Sequence, residues 1–278
     1  MKLMVGVDGG DGGRDALELA RLIGGKADAS VLVVCVVPYG PLPVDFKALD
    51  EDAAAEAKPL LQEAREQLDG LEVETRAFGG GSPAEVMTDI AEAEEIDLIV
   101  VGSPHRGAIG RVLIGSVADN LLHGAPCPVA VAPSGYSAED HEALRKIAVA
   151  FDGTPESKAA LHAAEAFAAR GNSSIEVLTA VAPPAAVPGV AGYAPVDPPD
   201  PDRILTEAVN SVDGGIAATG RRLDGPPAAT LADACEEGVD LLVAGSRRYG
   251  PAMRVLLGSA STQLIHKASC PVLVVPRP

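Results

Sequence analysis

Short apolar runs alternate along the chain with longer stretches in which apolar residues recur every three or four positions. Lys2–Val7 (KLMVGV) reads as a strand that ends at Asp8-Gly9-Gly10. The next stretch places Ala16, Leu19, Ala20 and Ile23 on one helical face, and Gly24-Gly25 stop it. Ser30–Val37 is an apolar strand, and a Pro-rich loop follows over residues 38–45. Residues 48–68 predict a long helix that Pro59 should kink or begin. Residues 71–78 (LEVETRAF) alternate, as a half-exposed edge strand does. Ser82 is placed to cap a helix with Pro83 at its first position, and Glu85 completes a capping box.

One stretch then occurs twice. Residues 97–133 read DLIVVGSPHRGAIGRVLIGSVADNLLHGAPCPVAVAP, and residues 240–276 read DLLVAGSRRYGPAMRVLLGSASTQLIHKASCPVLVVP. Each is a buried strand, a loop rich in Gly and basic residues, a helix opened by Gly-Ser, and a closing strand after Cys-Pro. The plan of the first half restarts at Lys146, with strands at 147–151, 175–181 and 216–223 and helices at 157–169, 203–212 and 227–237. Residues 182–201 are Pro/Gly-rich and read as a connector, with a lid carrying Tyr193 as the sharper alternative. The offset between halves is 144 at Asp8 and Asp152, and 143 at Gly102 and Gly245, at Gly115 and Gly258, and at Cys127 and Cys270. The chain is therefore a duplication: residues 1–134, a polar linker at 135–145, and residues 146–278. The order β-α-β-α-β-α-β-α-β in each half predicts two tandem, doubly wound, five-stranded parallel sheets of Rossmann-like α/β class.

Composition narrows the function. The chain has 278 residues, enough for two ordinary domains, and its 3% aromatic content leaves the core to Val, Leu, Ile and Ala. A formal charge of −17 excludes a general binder of nucleic acid or anionic membrane. No run approaches the roughly 20 apolar residues of a membrane span. The N-terminal apolar run breaks at Asp8 and is not read as a signal peptide. Cys35, Cys127, Cys235 and Cys270 form no CxxC pair and read as buried thiols, so the expected location is the cytoplasm.

Ligands of open α/β sheets sit beyond the carboxyl ends of the strands, where strand order reverses. Asp8-Gly9 and Asp152-Gly153 stand at the end of the first strand of each half, and Gly102-Ser103 and Gly245-Ser246 at the end of the fourth. Gly115-Ser116-Val117 and Gly258-Ser259-Ala260 open helices, whose free N–H groups suit phosphate. An acidic acceptor beside an anion cradle implies a nucleotide. The same residues also fit turns and helix caps, with no ligand needed. His123 and His266 suit helix C-termini. No GxxxxGK[ST], G-x-S-x-G or HExxH occurs, so no catalytic residue is assigned.

This arrangement resembles the universal stress protein family in tandem form, over nearly the whole chain. Nucleotide-binding members of that family carry Gly, two residues, Gly, nine residues, Gly, then Ser or Thr. The outer glycines and hydroxyls are present here, at Gly102, Gly115 and Ser116 and at Gly245, Gly258 and Ser259. The inner glycine is replaced by His105 and Arg248, with Gly107 and Gly250 two residues later. The replacements are basic and lie beside Arg106, Arg111, Arg247 and Arg254, which implies that side-chain cations take over a close backbone contact to phosphate. The resemblance implies binding of ATP or another adenine nucleotide, with or without Mg, and a regulatory role in stress response. It puts Asp8 and Asp152 at the nucleotide and Val36 and Ala180 at the adenine. It also implies association through the last strands, 129–132 and 272–275, giving a pseudo-dimer within the chain. A nucleotide-free interaction module and a weak ATPase are the alternatives.

Overall fold

Strands buried on both faces must be apolar throughout, and the central runs of both halves have that composition. In the computed structural model they form β1 (Lys2–Val7), β2 (Ser30–Val37), β3 (Glu72–Gly79), β4 (Leu98–Gly102) and β7 (Val129–Ala132) of the first half. The second half repeats them as β8 (Lys146–Ala150), β9 (Ser174–Val181), β10 (Ala218–Asp224), β11 (Leu241–Gly245) and β14 (Val272–Val275). The helices are α1 (Asp11–Gly24), α2 (Phe46–Gln67), α3 (Pro83–Ala93), α4 (Ser116–Gly124), α5 (Pro155–Gly171), α6 (Pro201–Ser211) and α7 (Pro227–Cys235). Two short pairs are also described: β5 (His105–Arg106) with β6 (Val112–Leu113), and β12 (Arg247–Arg248) with β13 (Val255–Leu256). The structure describes residues 1–25, 29–37, 46–103, 105–106, 112–113, 115–182, 200–248, 255–256 and 263–276. Most of the Pro-rich connector, including Tyr193, lies outside them.

The ten long strands form one sheet in the order β10-β9-β8-β11-β14-β7-β4-β1-β2-β3. Within this sheet the described pairing is parallel inside each half and antiparallel between β7 and β14, where Val272 faces Val131, Leu273 faces Ala130 and Val274 faces Val129. The last strands therefore pair within the chain and make the pseudo-dimer. The alternating β3 lies at one rim of the sheet, as its pattern predicts.

Two apolar layers cover the sheet, and both cross the junction of the halves. One joins Leu3, Val5 and Leu19 to Ile147, Leu161 and Leu273. The other joins Met4, Ile99 and Leu121 to Leu178, Leu242 and Val274. Cys35, Cys127, Cys235 and Cys270 are buried free thiols. Burial pushes the Cys35 thiol up and that of Cys127 up to about 12, so both are neutral near pH 7.

Three local readings are corrected. Pro59 lies inside α2 rather than starting it. Ser82 is the N-cap of α3 but makes no side-chain capping bond, so the capping box does not form. Instead its carbonyl accepts from Val86 N (3.0 Å), and Pro83 at the first position has no N–H to satisfy. The linker is not merely polar. Asp15 of α1, fully buried, accepts from Gly135 N (2.8 Å), Ser137 N (2.7 Å) and Ser137 Oγ (2.7 Å). This fixes a single 3₁₀ turn, Tyr136–Ala138, whose buried tyrosine stacks on His141 at 3.9 Å between ring centroids. Arg21 donates to the His141 carbonyl (3.0 Å). The connection is thus strapped to α1.

Replacing Asp15 by Ala leaves the N–H groups of Gly135 and Ser137 without their acceptor. The expected loss is about 2–4 kcal/mol, read by thermal or urea denaturation, with a smaller loss for Asp15→Asn. A second test concerns Glu94, which Arg76 and then Lys2 (2.7 Å) hold down to about 2 by hydrogen bonds. A carboxylate depressed in the folded state stabilises it above the unfolded pKa and loses that contribution as pH falls through the folded value. Urea denaturation between pH 5 and pH 2 should therefore show a steeper decline for the natural chain than for Glu94→Gln.

Candidate functional site

β1 pairs with β4 at the point where strand order reverses, and Leu3 faces Leu98 across that seam. After β1 the chain turns at Asp8, whose Oδ1 accepts from Gly10 N (2.9 Å), with Gly9 at φ 80°. α1 then starts directly on the end of β4. A Cβ built on Gly102 would lie 1.8 Å from the Gly12 carbonyl oxygen, so no larger residue fits there. The second half repeats the contact, with a Cβ on Gly245 falling 2.4 Å from the Glu156 oxygen. The first glycine of each repeated stretch is thus explained by the packing of helix on strand.

Beside this contact, on the α3 and α4 side, opens a cavity of about 410 Å³. Gly6, Val34, Val36 and Val101 form an apolar floor from β1, β2 and β4. Pro83 and Met87 of α3 form one wall, and Gly12 and Gly13 of α1 another. Asp8 and the start of α4, with Gly115, Ser116, Val117 and Ala118, complete the lining. Gly115 caps α4 with extended backbone and no side-chain bond, so among the described residues no side chain caps the first-turn N–H groups of Ser116, Val117 and Ala118. An apolar slot ends there in a cluster of amide donors. Its volume lies within the range of small-molecule pockets.

The other candidate residues are distributed as follows. Ser103 is buried behind the rim, its N–H bonded to the Ala132 carbonyl (3.0 Å). His105 and Arg106 form β5, paired with Leu113 and Val112, and Arg248 lies in β12, paired with Val255. The basic stretch expected to be a plain loop is thus a two-stranded ribbon in both halves. Gly9 lies on the other face, in the wall of a cavity of about 200 Å³ between α1 and α2. Asp152 and Gly153 line a groove of about 600 Å³ between α5 and α6, again on that face. Asp152 Oδ1 accepts from Thr154 Oγ1 (2.5 Å) and Thr154 N (3.1 Å), which makes it part of the cap of α5. Ala180 occupies the place in β9 that Val36 has in β2 and is partly buried. Ser246 is fully buried, and its Oγ has no partner among the described residues. Gly107, Gly250, Gly258, Ser259 and Ala260 lie outside the described residues.

The walls added by the structure are Gly6, Val7, Gly12, Gly13, Val34, Pro83, Met87, Val101 and Ala118. One of them carried a legible signal. A glycine inside a strand, as at Gly6, marks a place where something must approach closely. A Cβ there would meet the Met87 Sδ and Cε at 3.0 Å.

These features define a class: a duplicated, doubly wound α/β protein with a cavity at the switch point of its first half. The sequence profile of the universal stress protein family matches residues 1–133 and 143–276. The chain belongs to that family. A universal stress protein of Mycobacterium tuberculosis strain H37Rv is 29% identical over 304 residues, spanning 99% of this chain and 100% of the relative. One from Methanocaldococcus jannaschii is 30% identical over 137 residues, covering 47% of this chain and 80% of its own length. The crystal structure of a universal stress protein from Archaeoglobus fulgidus has the same fold, with a TM-score of 0.69 over 99% of this chain and 96% of that one at 20% identity.

Gly102→Ala should force α1 off the end of β4. The expected cost is about 3 kcal/mol or more, measured as a fall in the unfolding midpoint. Gly124→Ala, whose added Cβ meets nothing within 4 Å, is the control.

Proposed function

We propose that this chain is an adenine-nucleotide-binding universal stress protein with a regulatory role, acting in the cytoplasm. The observation that carries the reading is the cavity of the first half, which joins an apolar slot to the uncapped start of α4. In this reading Val34, Val36 and Met87 receive the base, Asp8 accepts from the ribose, and the amides after Gly115 take the phosphates. Among the described residues the cavity presents no nucleophile with an adjacent base, and in this reading the nucleotide serves as a ligand that shifts conformation or association. In this reading the basic sequence around the lost inner glycine, with Arg106 and Arg111, offsets its loss by drawing anions toward an otherwise acidic chain.

Small molecules released from the heat-denatured protein, identified by mass spectrometry, should include ATP or ADP. Millimolar ATP, with and without Mg, should raise the unfolding midpoint. Ser116→Asp separates ligand from fold. A carboxylate in the first turn of α4 favours the helix dipole by about 0.3–1 kcal/mol, yet it repels phosphate. The expected result is unchanged or slightly higher stability with at least a tenfold loss of ATP affinity. A protein that is empty and does not respond to ATP turns the reading to an interaction module of the same fold.

A further inference from the structure

The four cysteines are all buried, and two of them, in the second half, are in contact. Cys235 is the last residue of α7, and Cys270 stands directly before Pro271, where the chain enters β14. Both belong to the apolar layer that also holds Leu231, Val239 and Leu264. The Cys235 thiol donates to the Leu231 carbonyl one helical turn back (3.5 Å), which sets its direction. Its sulfur accepts from the thiol and from the backbone N–H of Cys270.

The first half supplies a comparison within the same molecule. Cys127 matches Cys270 at the offset of 143, and Ala91 matches Cys235 at the offset of 144 that also matches Pro83 to Pro227. Ala91 and Cys127 are buried in the same layer. The duplication thus has a methyl group in one half where the other has a second thiol. The pairing changes the sulfur chemistry. The hydrogen bonds from Cys270 hold the Cys235 thiol below its ordinary value against the effect of burial, whereas burial, with Cys235 beside it, pushes Cys270 well up. One sulfur is prepared to ionise while its neighbour keeps its proton. Among the described residues no third His, Cys, Asp or Glu joins the two in a group that could hold a metal ion. Access is short: Glu236, Glu237 and Gly238, directly after Cys235, are exposed. That turn is held by Glu236 N to the Asp233 carbonyl and Glu237 N to the Ala234 carbonyl (both 3.1 Å), and its local opening admits a small molecule.

We propose that Cys235 and Cys270 are a reversible thiol–disulfide pair that takes oxidising equivalents from a hydroperoxide. The Cys235 thiolate attacks the peroxide. An S–O bond forms, the O–O bond breaks, and the departing oxygen takes up the proton that Cys235 lost and leaves as water or an alcohol. The Cys270 sulfur then attacks the sulfenic acid. The S–S bond forms, the S–O bond breaks, and the hydroxyl leaves as water with the Cys270 proton. The two sulfurs together lose two electrons and the peroxide gains two. The new bond ties the end of α7 to the approach of β14, around a loop that contains β11.

Treatment of the full-length chain with hydrogen peroxide, followed by alkylation in denaturant, intact mass and peptide mapping, tests it. Two of the four thiols should be lost. The mass should fall by two hydrogens, with one link, between Cys235 and Cys270, that dithiothreitol reverses. Cys127 in the same sample should oxidise roughly tenfold more slowly or less. Cys235→Ala, which installs the residue the first half carries there, should protect Cys270 to a similar extent. Cys270→Ala should leave a sulfenic acid at Cys235 that dimedone traps. A natural chain that keeps all four thiols until denaturant is added would overturn the inference. A link made instead by Cys35 or Cys127 would do so too, as would equally fast oxidation of Cys270 in Cys235→Ala.

Discussion

The antiparallel pairing of β7 with β14 is the contact on which the rest of the molecule depends. Each is a four-residue apolar strand buried on both faces. Alone, either would present a row of unpaired N–H and C=O groups at the edge of a sheet, in an apolar setting that invites aggregation. Joined, they turn two five-stranded sheets into one of ten strands and leave only the charged β3 and β10 at the rims. The pairing also sets directions. Strands are parallel within a half and antiparallel across the junction, so the carboxyl ends of the halves point opposite ways. α4, which begins at the first crevice, runs back toward the level where the second half's strands end, and β13 of that half packs against it.

A second constraint acts at each switch point, where the first turn of α1 or α5 sits on the end of β4 or β11 with no room for a side chain at Gly102 or Gly245. This contact places the helix start and the strand end within one crevice in both halves.

Much of this was legible in the sequence, because strands buried on both faces and helices with one apolar face leave periods that need no tertiary context. The repeat, the edge character of β3, and the strand ends bearing Asp8 and Gly102 all followed from pattern and offset. What pattern could not supply was contact at a distance. Asp15 looks like any polar residue in the first turns of a helix, and its acceptor role depends on a turn 120 residues later. The ribbons at His105–Arg106 and Arg247–Arg248 have two residues per strand, too few to set a period. Gly9 and Gly153 followed the sequence neighbourhood of the aspartates, but the turn at φ 80° carries them to the opposite face of the sheet. The cavity walls Met87 and Pro83 belong to a helix far along the chain, and only the unexplained glycine at position 6 hinted that something filled the space above it.

The strap from Asp15 to Gly135 and Ser137 also bears on how the chain assembles. β7 and β14 are complementary, and nothing in their pairing distinguishes a strand of the same molecule from one of its neighbour. Two chains could exchange halves and satisfy every sheet hydrogen bond. What decides between the two is local concentration, set by how far the connecting segment lets the second half wander. By tying the connection to α1 a few residues past β7, the buried aspartate shortens the free tether and holds β14 near its own partner. The Asp15 carboxylate thereby favours pairing of the two halves within one chain over their exchange between chains.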